Sequence, residues 1–182
     1  GTQSSFTTSS PSLSTTTLTS FGGVCVNTTV GPNKLVITGS NLTAGNLKVG
    51  PLTGYTFSKT SGGTYTDSLL ISQTGGSYSD SVFVKFRPAA VQSYNGNISV
   101  SGGGAPTITV AASGSGVSST SVTTGSSSAI TSTGVTLNGT LTQGCSSVTA
   151  YGIEYSTTNG FTPGTGTSVA STNLSGNTYT VV

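Results

Sequence analysis

Few side chains in this sequence could do chemistry. It holds three acids (Asp67, Asp80 and Glu154), five cations (Lys34, Lys48, Lys59, Lys85 and Arg87) and two cysteines (Cys25 and Cys145), with no histidine, methionine or tryptophan. General acid–base catalysis needs a histidine, a pair of carboxylates or a lysine of tuned pKa. The acids are scattered, and Glu154 stands alone in an apolar stretch, which suits a hydrogen-bonded strand position better than a proton donor. The composition therefore argues against an enzyme and offers no residues for a cofactor. Calcium takes 6–8 oxygens, usually from several carboxylates, and Asp67 and Asp80 form no acidic run. Two cysteines without histidine are too few ligands for zinc. Gly102-Gly103-Gly104 is followed by the strand-like Ala105-Pro106-Thr107-Ile108 instead of a helix start, so it reads as a bulge or crossing and not as a phosphate loop. The threonine clusters, such as Thr15-Thr16-Thr17 and Thr64-Tyr65-Thr66, do not recur at the fixed period an ice-binding ladder needs.

What must position these residues is a β framework. Charged residues are 4% of the chain, against about 25% in ordinary soluble domains, while Ser and Thr exceed a third of it. The net charge of +2 gives no basic footprint for nucleic acid. Low charge with a mean hydropathy of +0.10 argues against disorder. No apolar run approaches the roughly 18 residues of a membrane helix, so no membrane insertion is expected from this segment. No signal peptide is visible, which places one upstream or already removed. Abundant Ser, Thr and Asn with little Lys or Glu suits an extracellular chain, where disulfides persist. The cysteines then form either a Cys25–Cys145 bridge or two separate, part-buried thiols.

Alternation with a period of two runs through the sequence, and no stretch holds a period of 3.6. Strands are expected from Leu35, at Leu47–Val49 and Tyr55–Phe57, from Tyr65 to Ser72, from Ser81 to Arg87, after an Asn95-Gly96 hairpin signal, and to Val110. Within Ser81–Arg87 the alternation turns Val82, Val84 and Phe86 to one face and Phe83, Lys85 and Arg87 to the other. Phe83 is thus the candidate exposed contact, and Tyr55, Phe57, Tyr65, Tyr78, Phe86 and Tyr94 read as core and cross-strand pairs. Gly114–Ser128 reads as a linker. Beyond it, Val135–Leu137, Val148–Tyr155, Val169 and Tyr179–Val182 are too few strands for a full sandwich of about seven. The fold class is all-β.

Several phrases resemble a known family. Phe21-Gly22-Gly23-Val24-Cys25-Val26-Asn27-Thr28-Thr29 with Gly31-Pro32-Asn33 is similar to the opening of Ig-like modules in giant repetitive surface adhesins of gliding bacteria. Val84-Lys85-Phe86-Arg87-Pro88 followed by Tyr94-Asn95-Gly96-Asn97-Ile98 resembles the V-x-F-x-P…Y-x-G-x-I signature of that superfamily. Tyr151-Gly152-Ile153-Glu154-Tyr155-Ser156 resembles a strand of the fibronectin-type-III-like modules in the same proteins, and Gly1–Thr8 resembles the tail of such a module's last strand. The family's L-x-P-x-T-x-Y-Y-x-R-A strand does not occur before Val182.

The resemblance implies a window of a tandem array. Residues 1–10 would be the last strand of one fibronectin-III-like module, 11–117 an Ig-like β-sandwich, and 118–182 an incomplete fibronectin-III-like sandwich. It also implies type IX secretion, an outer-membrane-anchored filament at the cell surface, and a role as stalk, spacer or adhesive surface, with gliding motility as one setting. The partners implied are neighbouring repeats of the same chain or fibre, surface glycans or abiotic surfaces. Family members carry O-glycans at Asp-Ser/Thr followed by an aliphatic residue, which implies Ser68 (Asp67-Ser68-Leu69) and Ser81 (Asp80-Ser81-Val82) as glycan sites. Asn27, Asn41, Asn97, Asn138 and Asn173 also begin Asn-x-Ser/Thr sequons, which carry little weight in so Ser- and Thr-rich a chain. Two alternatives stand beside the array: a self-assembling, pilin-like subunit with strand exchange, and a carbohydrate-binding module of a secreted enzyme.

Overall fold

The computed structural model describes residues 9–182. Among them there is no helix, and the chain divides into two compact units that meet in sequence at Val117 and Ser118. The expected strand at 1–10 lies outside the described residues except for Ser9 and Ser10, which are not in a strand.

The first unit is a β-sandwich. One sheet has the order β1 (Ser12–Thr15), β3 (Val30–Leu42), β7 (Gly76–Phe86), β5 (Tyr55–Ser58). The other has the order β6 (Leu69–Gln73), β4 (Gly45–Val49), β8 (Gly96–Gly102), β9 (Ala105–Ala112). Two short strands, β2 (Gly23–Cys25) and β10 (Ser115–Val117), pair in parallel. Alternation explains the core, because successive side chains on a strand face opposite sides. Leu35 and Ile37 of β3, and Val82, Val84 and Phe86 of β7, turn inward and are fully buried. They meet Leu47, Val49, Ile98 and Val100 from the facing sheet in one cluster.

Aromatic rings close one end of this core. Phe86 lies 4.9 Å from Tyr55, 5.6 Å from Phe21 and 5.5 Å from Tyr94, centroid to centroid. Gly54 makes room for them: its φ is +85°, and a Cβ there would sit 2.8 Å from the Tyr94 ring. The hydroxyl of Tyr94 accepts hydrogen bonds from the backbone N–H groups of Ala89 (2.9 Å) and Ala90 (2.8 Å), which fixes the loop between β7 and β8. The hydroxyl of Tyr55 is buried with no hydrogen-bond partner among the described residues.

Several local expectations need correction. Gly103 and Gly104, both at positive φ, form the two-residue turn of the β8–β9 hairpin, with a register irregularity just before it. Paired positive φ values are what a type I′ turn demands. Asn95-Gly96 is not a hairpin: β7 and β8 lie in different sheets, and the Asn95 side chain instead accepts the Gly114 N–H. The strand expected from Leu35 begins at Val30, with Gly31-Pro32 as a register irregularity inside it. Residues 65–68 precede β6 as a loop, joined to the sheet by a bridge from Thr66 to Phe57. Gly114–Ser128 is not a linker, since it holds β10 and β11 (Ser121–Ser128).

In the second unit, β11, β12 (Thr136–Thr142), β16 (Thr178–Val181) and β15 (Leu174–Ser175) form a four-stranded sheet, and β13 (Gly152–Tyr155) and β14 (Thr167–Ala170) a two-stranded one. The expected strand Val148–Tyr155 is shortened to β13. Every residue of β11 is exposed, so no buried alternation marks it in the sequence.

The two tyrosine hydroxyls of the first unit predict opposite mutational outcomes. Tyr94→Phe strands two backbone donors and lowers unfolding stability by about 1–3 kcal/mol. Tyr55→Phe removes a buried, unpaired hydroxyl and leaves stability equal or higher. Burial also pushes the Tyr55 phenol above its ordinary pKa. Its contribution is therefore complete below about pH 10 and fades as pH rises through the higher folded value, a loss that Tyr55→Phe abolishes. Denaturant midpoints from pH 7 to 11 measure both effects.

Candidate functional site

Two surfaces hold the residues of interest. The first is the outer face of the β1–β3–β7–β5 sheet. Phe83 points away from the core, opposite Lys34 on β3 and Ser58 on β5. It is half-buried and not freely exposed. The loop after β5 accounts for this: it also leaves Ser58 only 3% exposed and brings Tyr65 over the sheet. Lys85, two residues beyond Phe83, sets its ammonium 4.2 Å from the Tyr65 ring centroid, within cation–π range. The Tyr65 hydroxyl donates to the Ser61 carbonyl (2.9 Å), holding the ring in place. Arg87 is exposed at the end of β7, where its Nε donates to the Asn27 carbonyl (3.2 Å).

Further along the same face the strands carry paired hydroxyls. Ser14 and Thr38 are hydrogen-bonded at 2.6 Å, and Ser12 and Ser40 at 2.8 Å. Ser81 sits here too, half-buried and opposite Val36. Ser68, also half-buried, lies in the loop just before the edge strand β6, and its carbonyl accepts the Thr66 hydroxyl. Of the two serines proposed from the sequence, one thus lies on a strand and the other in a loop.

Two of the three acids, Asp80 and Glu154, take structural partners. Asp80 is on the inward-facing side of β7, beyond the buried core, and pairs with Lys59. The hydrogen bond from Lys59 holds its carboxyl below the ordinary aspartate range, assisted by the Ser81 N–H against some desolvation. The sequence does not reveal this pair, because its members lie 21 positions apart, Lys59 just after β5 and Asp80 on β7, and these strands become neighbours only in the sheet. Asp67 borders a shallow recess with Pro51, Leu52, Thr53, Gly54 and Tyr55. Glu154 accepts the backbone N–H groups of Gly164 (2.8 Å) and Gly166 (2.6 Å), so it braces the loop between β13 and β14. Among the described residues, no three His, Cys, Asp or Glu side chains cluster as a metal site would require. Cys25 and Cys145 are both half-buried and disulfide-bonded, so neither is a free thiol.

The second surface is a cleft in the second unit. Val135, Leu137, Tyr155, Val169 and Val181 line a space of about 410 Å³ between the two small sheets. Another, of about 400 Å³, lies beside Val122, Ile153, Phe161 and Tyr179. Few large apolar residues are buried in this unit, namely Leu141, Tyr179 and Val181, while Val122, Ile130 and Tyr155 stay exposed. Tyr179 tethers the two-stranded sheet, donating its hydroxyl to the Gly152 carbonyl (2.9 Å) and stacking edge-on with Tyr151. Among the described strands β13 pairs with β14 alone, so no strand is hydrogen-bonded along its other edge.

No family model and no curated protein matches this chain.

The Lys59–Asp80 pair predicts a small, pH-dependent increment. Both side chains are more than a third exposed, so solvent screening limits the pair to under about 1 kcal/mol. Because the folded pKa of Asp80 is depressed, the increment is complete above about pH 5 and is lost as pH falls through the folded value. Asp80→Asn therefore has a lower urea midpoint at pH 7, and the gap to the wild type narrows toward pH 3.

Proposed function

We propose that this chain is a structural repeat segment of an extracellular, cell-surface fibre, made of β-sandwiches in series and serving as stalk and spacer. The carrying observation is the second unit, where an apolar cleft lies beside an unpaired strand edge. Exposed edges invite further strands, and strand addition is an established mode of joining β modules. A neighbouring strand along β13 would extend this two-stranded sheet beside Tyr155 and bring the unit closer to a full sandwich. Units stabilised partly by their neighbours are the rule in serial arrays.

Other features support the reading. The Tyr94 hydroxyl bonded back to Ala89 and Ala90 resembles the tyrosine corner of Ig-like sandwiches, which favours an Ig-like first module. The second unit is then the fibronectin-III-like one. A surface dressed in paired hydroxyls, with Asp80 and Glu154 committed to structural contacts, suits a spacer rather than a catalyst. The unpaired β13 edge equally favours the pilin-like alternative, in which the completing strand comes from a separate subunit. On either reading the fibre is secreted and displayed at the cell surface, and Ser68 and Ser81 are its glycan sites.

Hydrogen exchange with dye binding tests the central element of this proposal. In the isolated 182-residue chain, β13 and β14 exchange much faster than β3, β7 and β8, and a hydrophobic dye such as ANS fluoresces on binding. In native surface material the same strands are protected and the dye signal falls. Slow exchange of β13 in the isolated chain, with no dye binding, would mean that the unit needs no partner strand and would refute the proposal.

A further inference from the structure

We infer that the outer face of the β3–β7–β5 sheet binds an acidic polysaccharide, one bearing uronate or sulfate groups. This goes beyond the array reading and does not need it, because the site lies wholly within the first unit.

Of the five cations, Lys34 and Lys85 lie on this one face, and Arg87 follows immediately after the end of β7. Lys59 turns to the opposite side and is neutralised by Asp80, while Lys48 is on β4 of the other sheet. Among the described residues no acid shares the face: Asp80 is on the inner side of β7, and Asp67 borders the recess at Pro51–Tyr55. Three uncompensated cations in a chain with so little charge form a local positive strip. The strip has a built-in apolar element, since Phe83 lies between Lys34 across the strand pair and Lys85 two residues on. Tyr65, held by its bond to the Ser61 carbonyl, flanks Lys85.

Alternate residues on a strand are about 6.6 Å apart, so Phe83 and Lys85 stand in line at about that spacing, with Arg87 just past the strand end. That suits an extended, repeating anion. The Nη groups of Arg87 remain available after its Nε has bonded Asn27, and a guanidinium fork matches a carboxylate or sulfate. Aromatic rings offer flat apolar contact to the C–H faces of a sugar ring. Rows of Ser and Thr hydroxyls on the same face, including Ser14, Thr38 and Ser40, suit a hydroxyl-rich ligand. Nucleic acid fits less well, since its binders commonly neutralise more phosphates than three cations can reach. An anionic membrane typically recruits clusters of 4–8 basic residues.

The test is binding of the full 182-residue chain to alginate, with neutral dextran of similar length, duplex DNA and anionic phosphatidylserine vesicles as comparators. The site predicts retention on alginate that weakens as salt rises from about 20 to about 500 mM, with none on dextran. Lys34→Gln and Lys85→Gln each weaken alginate binding about two- to fivefold, and the double variant weakens it further. Phe83→Leu, which keeps apolar volume but removes the ring, also weakens it, while Lys48→Gln on the other sheet leaves it unchanged. Absence of alginate binding would overturn the proposal. So would equal binding of DNA or vesicles at the same salt, or a Lys48→Gln loss matching that of Lys85→Gln. Either of the latter results would reduce the effect to net charge.

Discussion

The first unit depends on β7 keeping two faces distinct. This strand lies between β3 and β5, and turns Val82, Val84 and Phe86 into the core with no exposure at all. Burying side chains of this size contributes about 1.5–3 kcal/mol each, so three of them rival the roughly 5–15 kcal/mol by which a domain is stable. Phe86 also carries the aromatic cluster, since Tyr55, Phe21 and Tyr94 all contact its ring. With almost no charges to form ion pairs, the chain relies on this alternation and on backbone ladders. A one-residue slip of β7 would bury Lys85 and expose Phe86, so register is strongly specified.

The same register decides what the outside can do. Once the even-numbered residues are inward, Phe83 and Lys85 share the outer face, and pairing with β3 adds Lys34. A binding strip therefore costs the fold little, because it uses positions that packing leaves over. The second unit is in the opposite situation. Its sheets surround apolar space instead of filling it, and Tyr179 stands in for much of the missing core through its ring and its hydroxyl.

Strand alternation was legible in the sequence because it is a local signal. The inward trio of β7 and the outward position of Phe83 follow from it directly. Glycine pairs were less legible: Gly103-Gly104 makes a hairpin turn, whereas Asn95-Gly96, the stronger turn signal, does not. There the Gly114 N–H captures the Asn95 side chain, a contact 19 positions away that no local pattern reveals. β11 was hidden because its exposed Ser and Thr residues lack apolar alternation, so it looked like a linker. The partial burial of Phe83 was hidden for a related reason, since it comes from the loop that follows β5 and seats Tyr65 on Lys85. The open cleft was legible only as a shortage of strands, without its lining.

An apolar cleft beside an unpaired strand edge supports the proposal of a fibre segment completed by its neighbours. The intact mass of the native, surface-extracted material under non-reducing conditions tests that account most directly. The account predicts a polypeptide many times heavier than the 17.8 kDa of this chain, with added mass in sugar increments at Ser68 and Ser81. A native species at 17.8 kDa that stays monomeric would contradict it.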